Sequence, residues 1–422
     1  MLSTAMKCRH CGTPVTQTLA DLGSAPPSNA FLTAQALRGP ERWYPLRVLV
    51  CVHCWLVQTE DFAQAHELFD ADYAYFSSFS SSWLAHAKTY VSDMLQRFSL
   101  QPGSHVVEVA ANDGYLLQYV AQQGISCLGI EPTAGTAAAA RAKGLHIVEQ
   151  FFGVELARSL VCAGQQADLT VANNVLAHVP DINDFVAGFA VLLKPHGVAT
   201  FEFPHLLQLV QQCQYDTIYH EHLSYLSLTA ALGIFAANGL TVFDVQALGT
   251  HGGSLRVFAR RTDGVAGPRA EPVHERVATM LAREQNAGLT QLDFYSDFQF
   301  QALRIKRELL LFLLNAQTLG KKMAAYGAAA KGNTLLNFAG VRSDLLPYVV
   351  DKNPAKQGKF LPGSRIPVVE EARLKLDKPD FIVILPWNLR HEVMHQLAYA
   401  GDWGAQFVTA VPRLEITPAR TS

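Results

Sequence analysis

The sequence predicts an α/β protein with a doubly wound parallel sheet, a small metal-binding unit before it and a second α/β unit after it. Three observations support this fold class. Short apolar runs alternate with helical stretches from about 105 to 205, and the same rhythm returns after Lys322. Two CxxC pairs lie near the start of the chain. A chain of 422 residues is too long for one hydrophobic core, and its length corresponds to about three domains.

Four cysteines give the clearest local signal. Cys8 and Cys11 form one CxxC pair, and Cys51 and Cys54 form the other. Each pair presents two thiolates from one tight turn, so two pairs complete the tetrahedral shell of Zn²⁺. A complete shell leaves no position for water or substrate, and we therefore expect a structural zinc ion; chance pairing of the two turns is the alternative. The isolated cysteines are typical of free thiols in a reducing compartment: Cys127, Cys162 and Cys213.

The composition is that of a globular enzyme. Hydrophobic residues make up 49% and charged residues 17% of the chain, and the formal net charge is −2. Because no basic patch stands out, we expect no nucleic-acid partner. The longest apolar run, Leu309–Leu314, is too short to cross a bilayer, and the first residues lack the apolar region of a signal peptide. We therefore expect a cytoplasmic protein with no membrane partner.

The first α/β unit contains a nucleotide-binding pattern. We predict its strands at 105–109, 127–131, 167–172 and 198–202. The first strand includes Glu108 and leads into small residues at Ala110–Gly114, so a ligand can approach the backbone at the carboxyl edge of the sheet. Tyr115 stands where a dinucleotide fingerprint needs a small residue, which argues against a pyrophosphate cradle. Glu131 ends the second strand, where a carboxylate can accept both ribose hydroxyls; a solvated glutamate is the alternative.

A polar segment after this unit is the candidate for chemistry. Tyr219, Glu221 and His222 place a phenol, a carboxylate and an imidazole within four residues. An imidazole titrates near neutral pH, and an adjacent carboxylate can orient it, so the segment predicts a general base. Two alternatives stay open: a metal site on the two histidines that flank Glu221, and a polar surface turn.

The last unit repeats the first in outline. We predict its strands at 323–326, 348–351 and 381–385. Gly327 gives a tight turn before a helix, and the helix N-terminus with Lys331 beside it suits a diphosphate. Gly327 followed by Asp351 also fits a loose dinucleotide pattern, which keeps an NAD-linked oxidoreductase as an alternative. A scaffold domain without a ligand is the third interpretation.

Several motifs occur together in one order along the chain: the two CxxC pairs, Glu108–Gly114, Ala172–Pro180, Tyr219–His222, His251–Gly253, Tyr326–Gly332 and Val350–Gln357. In this the chain resembles the S-adenosylmethionine-dependent sugar C-methyltransferases of deoxysugar biosynthesis. Those enzymes have three domains and act at C-3′ of nucleotide-linked 4-ketosugars. The resemblance covers essentially the whole chain. It departs from the family's glycine-rich cofactor loop at Ala110 and Asn112.

The resemblance implies a fold, two cofactors and a reaction. The fold is a class I methyltransferase Rossmann-like domain between a small zinc-binding domain and a C-terminal Rossmann-like domain. The cofactors are S-adenosylmethionine and a structural Zn²⁺. In the reaction, the 4-keto group acidifies the hydrogen on C-3′, a base removes it, and the enolate attacks the methyl group. Hydrogen-bond donors must stabilise the charge that develops on O4′.

The resemblance also implies residue roles. His222 maps to the base, with Tyr219, Glu221 and His178 as its neighbours, and Glu221 remains the other candidate for taking the proton. The cofactor residues are Glu108, Ala110, Asn112, Gly114, Glu131 and Asn174. The substrate residues are Tyr75, Ser78, His251, Gly252, Lys331 and Asn333. A turn with a chance histidine is the alternative at His251, and a solvated linker is the alternative around Tyr75.

The sequence thus predicts three domains, at 1–65, 66–315 with an inserted active-site segment, and 316–422 for the nucleotide-sugar. Methyl transfer to another small molecule, and a zinc-containing interaction protein without turnover, are further alternatives. The nucleotide base, the sugar, the stereochemistry and the oligomeric state stay open.

Overall fold

A computed structural model describes residues 6–62, 76–264 and 271–419. The candidate substrate residue Tyr75 lies outside the described residues. The described residues contain three sheets, whose strands are numbered β1 to β17 in chain order. Among the described helices, none is long and apolar enough to cross a membrane.

The N-terminal sheet has four antiparallel strands. In spatial order they are β1 (Gln17–Ala25), β2 (Tyr44–Val50), β3 (Val57–Thr59) and β9 (Ser224–Tyr225). The β-branched run Arg47–Val50 forms the end of β2. The fourth strand comes from far along the chain, directly after the predicted catalytic segment, so the zinc unit and that segment share one sheet.

The central sheet has seven strands in the order β10–β11–β8–β7–β4–β5–β6. They are β4 (His105–Val109), β5 (Ser126–Ile130), β6 (Ile147–Val148), β7 (Ala167–Asn173), β8 (Leu193–Pro204), β10 (Leu240–Leu248) and β11 (Ser254–Arg261). Strands β6, β5, β4, β7 and β8 are parallel, and β11 and β10 continue the sheet antiparallel. The predicted strands of this unit are confirmed.

Both faces of this sheet are covered. Val106 and Val107, which point to opposite faces, belong to two different apolar cores. The helices along this part of the chain are α1 (Ser81–Arg97), α2 (Leu117–Ala121), α3 (Ala134–Ala142), α4 (Val154–Cys162), α5 (Ile182–Leu192), α6 (Leu206–Gln211), α7 (Leu228–Ala237) and α8 (Glu275–Asn286). Short 3₁₀ turns lie at Ser77–Phe79, Leu176–His178, Tyr215–Thr217 and Thr250–Gly252.

The C-terminal sheet has six strands in the order β14–β13–β12–β15–β16–β17, of which only β17 is antiparallel. They are β12 (Met323–Tyr326), β13 (Val349–Val350), β14 (Val368–Val369), β15 (Phe381–Ile384), β16 (Gln406–Thr409) and β17 (Glu415–Pro418). The helices are α9 (Asp293–Ser296), α10 (Phe298–Thr318), α11 (Ala330–Ala339), α12 (Ala372–Asp377) and α13 (Arg390–Gln396). The predicted strands here are also confirmed.

Helix α10 packs between the N-terminal sheet and the C-terminal sheet. Leu309 and Leu313 lie on its buried face, in one core with Val48 of β2 and Val349 of β13. The apolar run Leu309–Leu314 therefore belongs to a helix with one buried face, while Leu311 and Leu314 are exposed. The proposed boundary between 315 and 316 falls within this helix, and the three domain ranges stay predictions.

Substitutions at Gly327 and Gly340 can test how tightly the C-terminal unit is packed. It has φ +92°, and a Cβ there would lie 2.7 Å from Cγ of Pro386, whereas Gly340 has φ +73° with open space around its Cβ position. We expect Gly340→Ala to lower the free energy of unfolding by about 1 kcal/mol, from its left-handed backbone. Gly327→Ala should cost about 2–4 kcal/mol, because overpacking adds to that strain. Denaturant unfolding of both variants measures the difference, and equal losses would contradict the packing argument.

Candidate active site

The four predicted zinc ligands converge. Their Sγ atoms all lie within 4.8 Å of one another, with Cys8 3.5 Å from Cys54 and Cys11 3.6 Å from Cys51. A tetrahedral ion with Zn–S bonds of about 2.3 Å separates its sulfurs by roughly 3.8 Å. The four thiols therefore fit a closed Zn²⁺ site with no open position, and the zinc would hold the two CxxC turns together.

Each CxxC turn ends in the same way. The residue after the second cysteine, Gly12 or Trp55, has a positive φ of 72° or 60°. Its N–H donates to the carbonyl of the first cysteine, at 2.9 Å in both turns. Glycine adopts this conformation freely and Trp55 does not, so the second turn depends on tertiary packing, which includes the ring of Trp55 stacked on Tyr295.

The predicted cofactor loop has the backbone of a glycine-rich loop without its glycines. Ala110, Asn112 and Gly114 all take positive φ, at 60°, 50° and 74°. The departures at Ala110 and Asn112 therefore preserve the local conformation that glycine would supply, at a cost in backbone strain. Gly114 is required as glycine, because a Cβ there would clash with Leu145 and lie 3.3 Å from Cβ of Ala140.

Two carboxylates lie at the edge of the sheet beside this loop. Glu131 accepts hydrogen bonds from the backbone N–H groups of Asn112 at 2.9 Å and Thr133 at 3.0 Å. Glu108 is buried, and burial raises its pKa well above the ordinary value. Hydrogen bonds from the Tyr115 hydroxyl and the Leu117 backbone oppose this shift. Both carboxyl groups can accept from the hydroxyl and amino donors of a ligand.

The serine-rich segment packs on the cofactor loop. The Ser77 N–H donates to Oδ1 of Asn112 at 2.9 Å, and the Ser78 N–H donates to Oδ2 of Asp113 at 3.3 Å. The hydroxyl of Ser78 accepts from Nζ of Lys143 at 2.9 Å. The structure thus places the candidate substrate residue Ser78 against the loop that precedes α2.

His222 and Tyr219 form a directed pair. Nδ1 of His222 lies 2.7 Å from the carbonyl oxygen of Thr217, so Nδ1 carries the proton. Nε2 is then the acceptor for the Tyr219 hydroxyl, 2.6 Å away. Burial and the neighbouring His178 and Lys331 lower the pKa of His222 well below its ordinary value, which keeps the imidazole neutral and able to accept.

His178 comes from the other segment and completes this cluster. It lies in the 3₁₀ turn after β7, and its ring centroid is 4.7 Å from that of His222. Burial lowers its pKa to about 4, and a hydrogen bond to the backbone of Glu221 opposes the shift. The structure therefore brings together three of the four predicted catalytic side chains: His178, Tyr219 and His222.

Glu221 lies in a different environment from its neighbour His222. Its Oε2 accepts from Nδ2 of Asn29, 2.6 Å away in the N-terminal unit, and burial raises its pKa to about 7. Its Oε1 is buried with no hydrogen-bond partner among the described residues. Within the described contacts, the carboxylate does not orient the imidazole, contrary to the pairing inferred from their adjacency.

The glycine turn at 251–253 faces the cofactor edge. Nε2 of His251 lies 3.2 Å from Nδ2 of Asn174, and both residues have a φ of 54°. Burial lowers the pKa of His251 to about 4, and the charge of Lys331 adds to the effect. Asn174 and His251, predicted for cofactor and substrate, therefore meet side by side. Trp83, which the sequence analysis did not identify, packs against His251 at 5.1 Å between ring centroids.

Lys331 lies in an aromatic and acidic corner. Its Nζ is 5.1 Å from the Trp387 ring centroid and 3.3 Å from Oδ1 of Asn388. Nε1 of Trp387 donates to the buried carboxylate of Asp216 at 2.7 Å. Gly252 is required here, because a Cβ would lie 2.6 Å from the Trp387 ring. Trp387 and Asn388 follow β15 at its carboxyl end, and that position was a signal the sequence analysis did not use.

Asn333 has a structural contact. Its Nδ2 donates to the Ser28 carbonyl at 2.6 Å, which ties α11 to the N-terminal unit. Its buried Oδ1 has no hydrogen-bond partner among the described residues. The predicted substrate role of Asn333 therefore depends on that one oxygen.

Three family models match the chain in sequence. A zinc binding domain matches residues 8–69, a methyltransferase domain matches residues 83–245, and a C-methyltransferase C-terminal domain matches residues 249–412. C-methyltransferase NovU of Streptomyces niveus is 31% identical over 416 residues, which is 99% of this chain and 98% of the relative. The chain belongs to the C-methyltransferase family. The family predicted from the sequence is confirmed, and with it S-adenosylmethionine as methyl donor and zinc as structural metal.

Solved structures resemble parts of this C-methyltransferase. Magnesium protoporphyrin IX methyltransferase from Synechocystis PCC 6803, with bound S-adenosylmethionine, has a TM-score of 0.33 and 18% identity over 43% of this chain and 81% of that one. An S-adenosylmethionine-dependent methyltransferase from Clostridium acetobutylicum has a TM-score of 0.35 and 10% identity over 42% of this chain and 92% of that one.

The C-terminal glycine turn of the C-methyltransferase does not favour a dinucleotide. The Asp351 carboxylate accepts from the Ala328 N–H at 2.7 Å and from the Asn353 N–H at 2.8 Å. Those bonds alone do not exclude a ribose, since Glu131 makes a similar pair, but Pro386 fills the space beside Gly327 where a pyrophosphate would have to approach the turn. The alternative of an NAD-linked oxidoreductase has no support in these contacts.

The zinc site predicts a stability effect. We expect Cys51→Ser to lose bound zinc and to lower the melting temperature by roughly 10 °C, since the metal contributes several kcal/mol of folding free energy. Cys162→Ser, at an exposed thiol, is the matched control and should keep both. Metal analysis and calorimetry measure the outcome, and an unchanged zinc content in Cys51→Ser would contradict the site.

The position of Glu131 predicts that its substitution weakens the binding of S-adenosylmethionine. We expect Glu131→Gln to raise the dissociation constant of S-adenosylmethionine by roughly 10- to 100-fold, because a carboxylate forms stronger hydrogen bonds to hydroxyl groups than an amide does. Glu149→Gln, on an exposed side chain paired with Arg141, should bind as the native protein does. Titration calorimetry compares the variants, and equal affinities would remove Glu131 from the cofactor site.

Proposed function

We propose that this C-methyltransferase transfers a methyl group from S-adenosylmethionine to C-3′ of a nucleotide-linked 4-keto-deoxysugar, through an enolate. The observation that carries the proposal is the cluster of His178, Tyr219, His222 and His251 between the carboxyl edge of the central sheet and the start of α11 with Lys331. It joins a proton acceptor to a cation that suits a diphosphate. The full-length likeness to C-methyltransferase NovU supports transfer to carbon.

The proton acceptor in this proposal is His222, acting through Tyr219. Nδ1–H is fixed on the Thr217 carbonyl, so Nε2 is the nitrogen that can gain a proton. When the Tyr219 oxygen takes the C-3′ proton, its own proton passes to Nε2 along the 2.6 Å hydrogen bond. The low pKa of His222 belongs to the free protein, and the negative charge of an adjacent enolate would raise it.

Other side chains of the cluster have binding roles in the proposal. Lys331 binds the diphosphate, and its charge reaches the cluster, since it lowers the pKa of both His222 and His251. His251 is neutral and its Nε2 accepts from Nδ2 of Asn174, so its Nδ1–H can donate toward the developing charge on O4′. His178 is also neutral, but it is hydrogen-bonded to the Glu221 backbone, and its role is to pack against the His222 ring. Asn174, with a buried Oδ1 that has no hydrogen-bond partner among the described residues, holds the cofactor's amino end. When bound, S-adenosylmethionine supplies the electrophilic methyl group.

Glu221 is the second candidate for the proton acceptor. Burial raises its pKa to about 7, the range in which a general base works well at neutral pH. Its Oε1 is buried with no partner in the described part of the chain. The ordered hydrogen bonds of Tyr219 and His222 favour the histidine, and the variants described below separate the two candidates.

Mass spectrometry tests the function. The protein is incubated with S-adenosylmethionine and a panel of nucleotide-linked 4-ketosugars, and in parallel in D₂O without the methyl donor. We expect one ketosugar to gain a single methyl group and the same compound to gain deuterium without the donor. Cofactor binding without methyl gain on any ketosugar would move the acceptor to another small molecule.

The proposed role of His222 predicts that its substitution lowers kcat. We expect His222→Asn to lower kcat by about 10² to 10⁴ with unchanged affinity for S-adenosylmethionine, because it removes the proton acceptor and leaves the cofactor edge intact. Deuterium incorporation should fall in parallel. Glu221→Gln is the comparison: if it stops deuterium incorporation while His222→Asn does not, Glu221 takes the proton.

A further inference from the structure

The zinc unit contacts the backbone of both segments that carry the active-site histidines. We propose that Arg9 and Thr59, together named the knuckle clamp, are positioning residues for His178 and His222. The inference rests on the proposed function, because it concerns the histidines to which the reaction is assigned. It gives the zinc unit a role in the placement of the reacting groups, beyond its own stability.

Thr59 fixes the backbone at His222. Its Oγ1 donates to the carbonyl of His222 at 2.6 Å, and its N–H donates to the carbonyl of Leu223 at 3.1 Å. Thr59 is completely buried. Two consecutive carbonyls of the catalytic segment are thus held by one residue of β3, just before that segment pairs with β3 as β9.

Arg9 connects this contact to the His178 turn. It lies inside the first CxxC turn, and its side chain is only 5% exposed. One guanidinium nitrogen donates to the Thr59 carbonyl at 3.0 Å, and the other donates to the Pro180 carbonyl at 3.1 Å. Pro180 follows His178 closely in the chain. The first CxxC turn therefore holds the His178 segment directly, through the Pro180 carbonyl, and the His222 segment through Thr59.

A direct hydrogen bond also joins the His178 segment to the His222 segment. The Leu223 N–H donates to the Ala177 carbonyl at 2.7 Å, between the residues adjacent to His222 and His178. These backbone contacts fix the positions of the two segments relative to each other, and the two imidazole rings lie 4.7 Å apart between centroids. The clamp bonds to carbonyl oxygens of the two segments, and the Thr59 hydroxyl also lies 3.5 Å from the Tyr225 hydroxyl on β9. Neither Arg9 nor Thr59 bonds to an imidazole in these contacts, so loss of the clamp changes the position of the histidines and leaves their chemical identity unchanged.

Positioning of this kind has a kinetic signature. A displacement of about 1 Å in a reacting group costs on the order of 10²-fold in rate. The cofactor edge at Glu131 and Asn112 lies outside the clamp. We therefore expect the clamp variants to lower kcat, with little change in KM for S-adenosylmethionine.

The first test uses Thr59. We expect Thr59→Val, which keeps the shape and removes the hydroxyl, to lower kcat by about 10- to 100-fold, and Thr59→Ser to restore most of it. Thr241→Val is the control, on a hydroxyl that bonds to Thr262 at the sheet edge. A folded Thr59→Val with native kcat would overturn the role of Thr59.

The second test uses Arg9. We expect Arg9→Met to lower kcat by a similar factor. Asp61→Asn removes only the charge partner of Arg9, whose side chain is 54% exposed, and should leave kcat unchanged. If Arg9→Met and Asp61→Asn both behave as the native protein does, the clamp is wrong. This pair of variants also decides the matter if Thr59→Val does not fold.

A third readout separates this inference from the proposed function. Spectra of ¹⁵N-histidine-labelled protein report the Nε2 hydrogen bond of His222 without any substrate. We expect its resonances to move in Thr59→Val and Arg9→Met, and to stay in place in Thr241→Val. If the native protein methylates no ketosugar but these shifts occur, the function fails and the clamp stands. Native resonances in both clamp variants would overturn the clamp even where methylation is observed.

Discussion

The parallel pairing of β4, β5, β7 and β8 is the constraint on which the site depends. The carboxyl ends of parallel strands meet at one edge of a sheet. Glu108 in β4, Glu131 after β5 and Asn174 after β7 therefore lie along the same edge. The hydrogen bond from the Asn112 N–H to Glu131 then joins the first strand's loop to the second strand's end. Without this register, the loop with its left-handed residues would have no fixed surface for a cofactor.

A second constraint is electrostatic. The cluster around His222 excludes enough water to keep three imidazoles uncharged, since the pKa of each lies below its ordinary value. Lys331 is the neighbouring cation that reinforces this. Burial also lowers the pKa of Lys331, and the carboxylate of Asp216 opposes that shift. In the proposed reaction, neutral histidines beside this lysine would favour a substrate that brings negative charge with it.

Much of this could be predicted from the sequence, and the missing part has a physical reason. Strand positions such as His105–Val109 and Met323–Tyr326 follow from local apolar pattern, which one stretch of chain contains in full. The four zinc ligands follow from spacing. Adjacency misled in one case: Glu221 and His222 are neighbours in sequence, but the carboxylate points to Asn29. Contacts between Asp216 and Trp387 join distant elements, and no local pattern contains them.

The fourth strand of the N-terminal sheet has a consequence for synthesis. Strand β3 ends at Thr59, but its partner β9 begins at Ser224, so the ribosome must make most of the central unit before the sheet can close. Until then the nascent chain presents an open β edge, which is a hazard for aggregation. Zinc can bind as soon as Cys54 has emerged from the ribosome, because Cys54 is the last of the four ligands in the chain. Early metal binding would thus hold the unfinished sheet in shape while its last strand is still being translated.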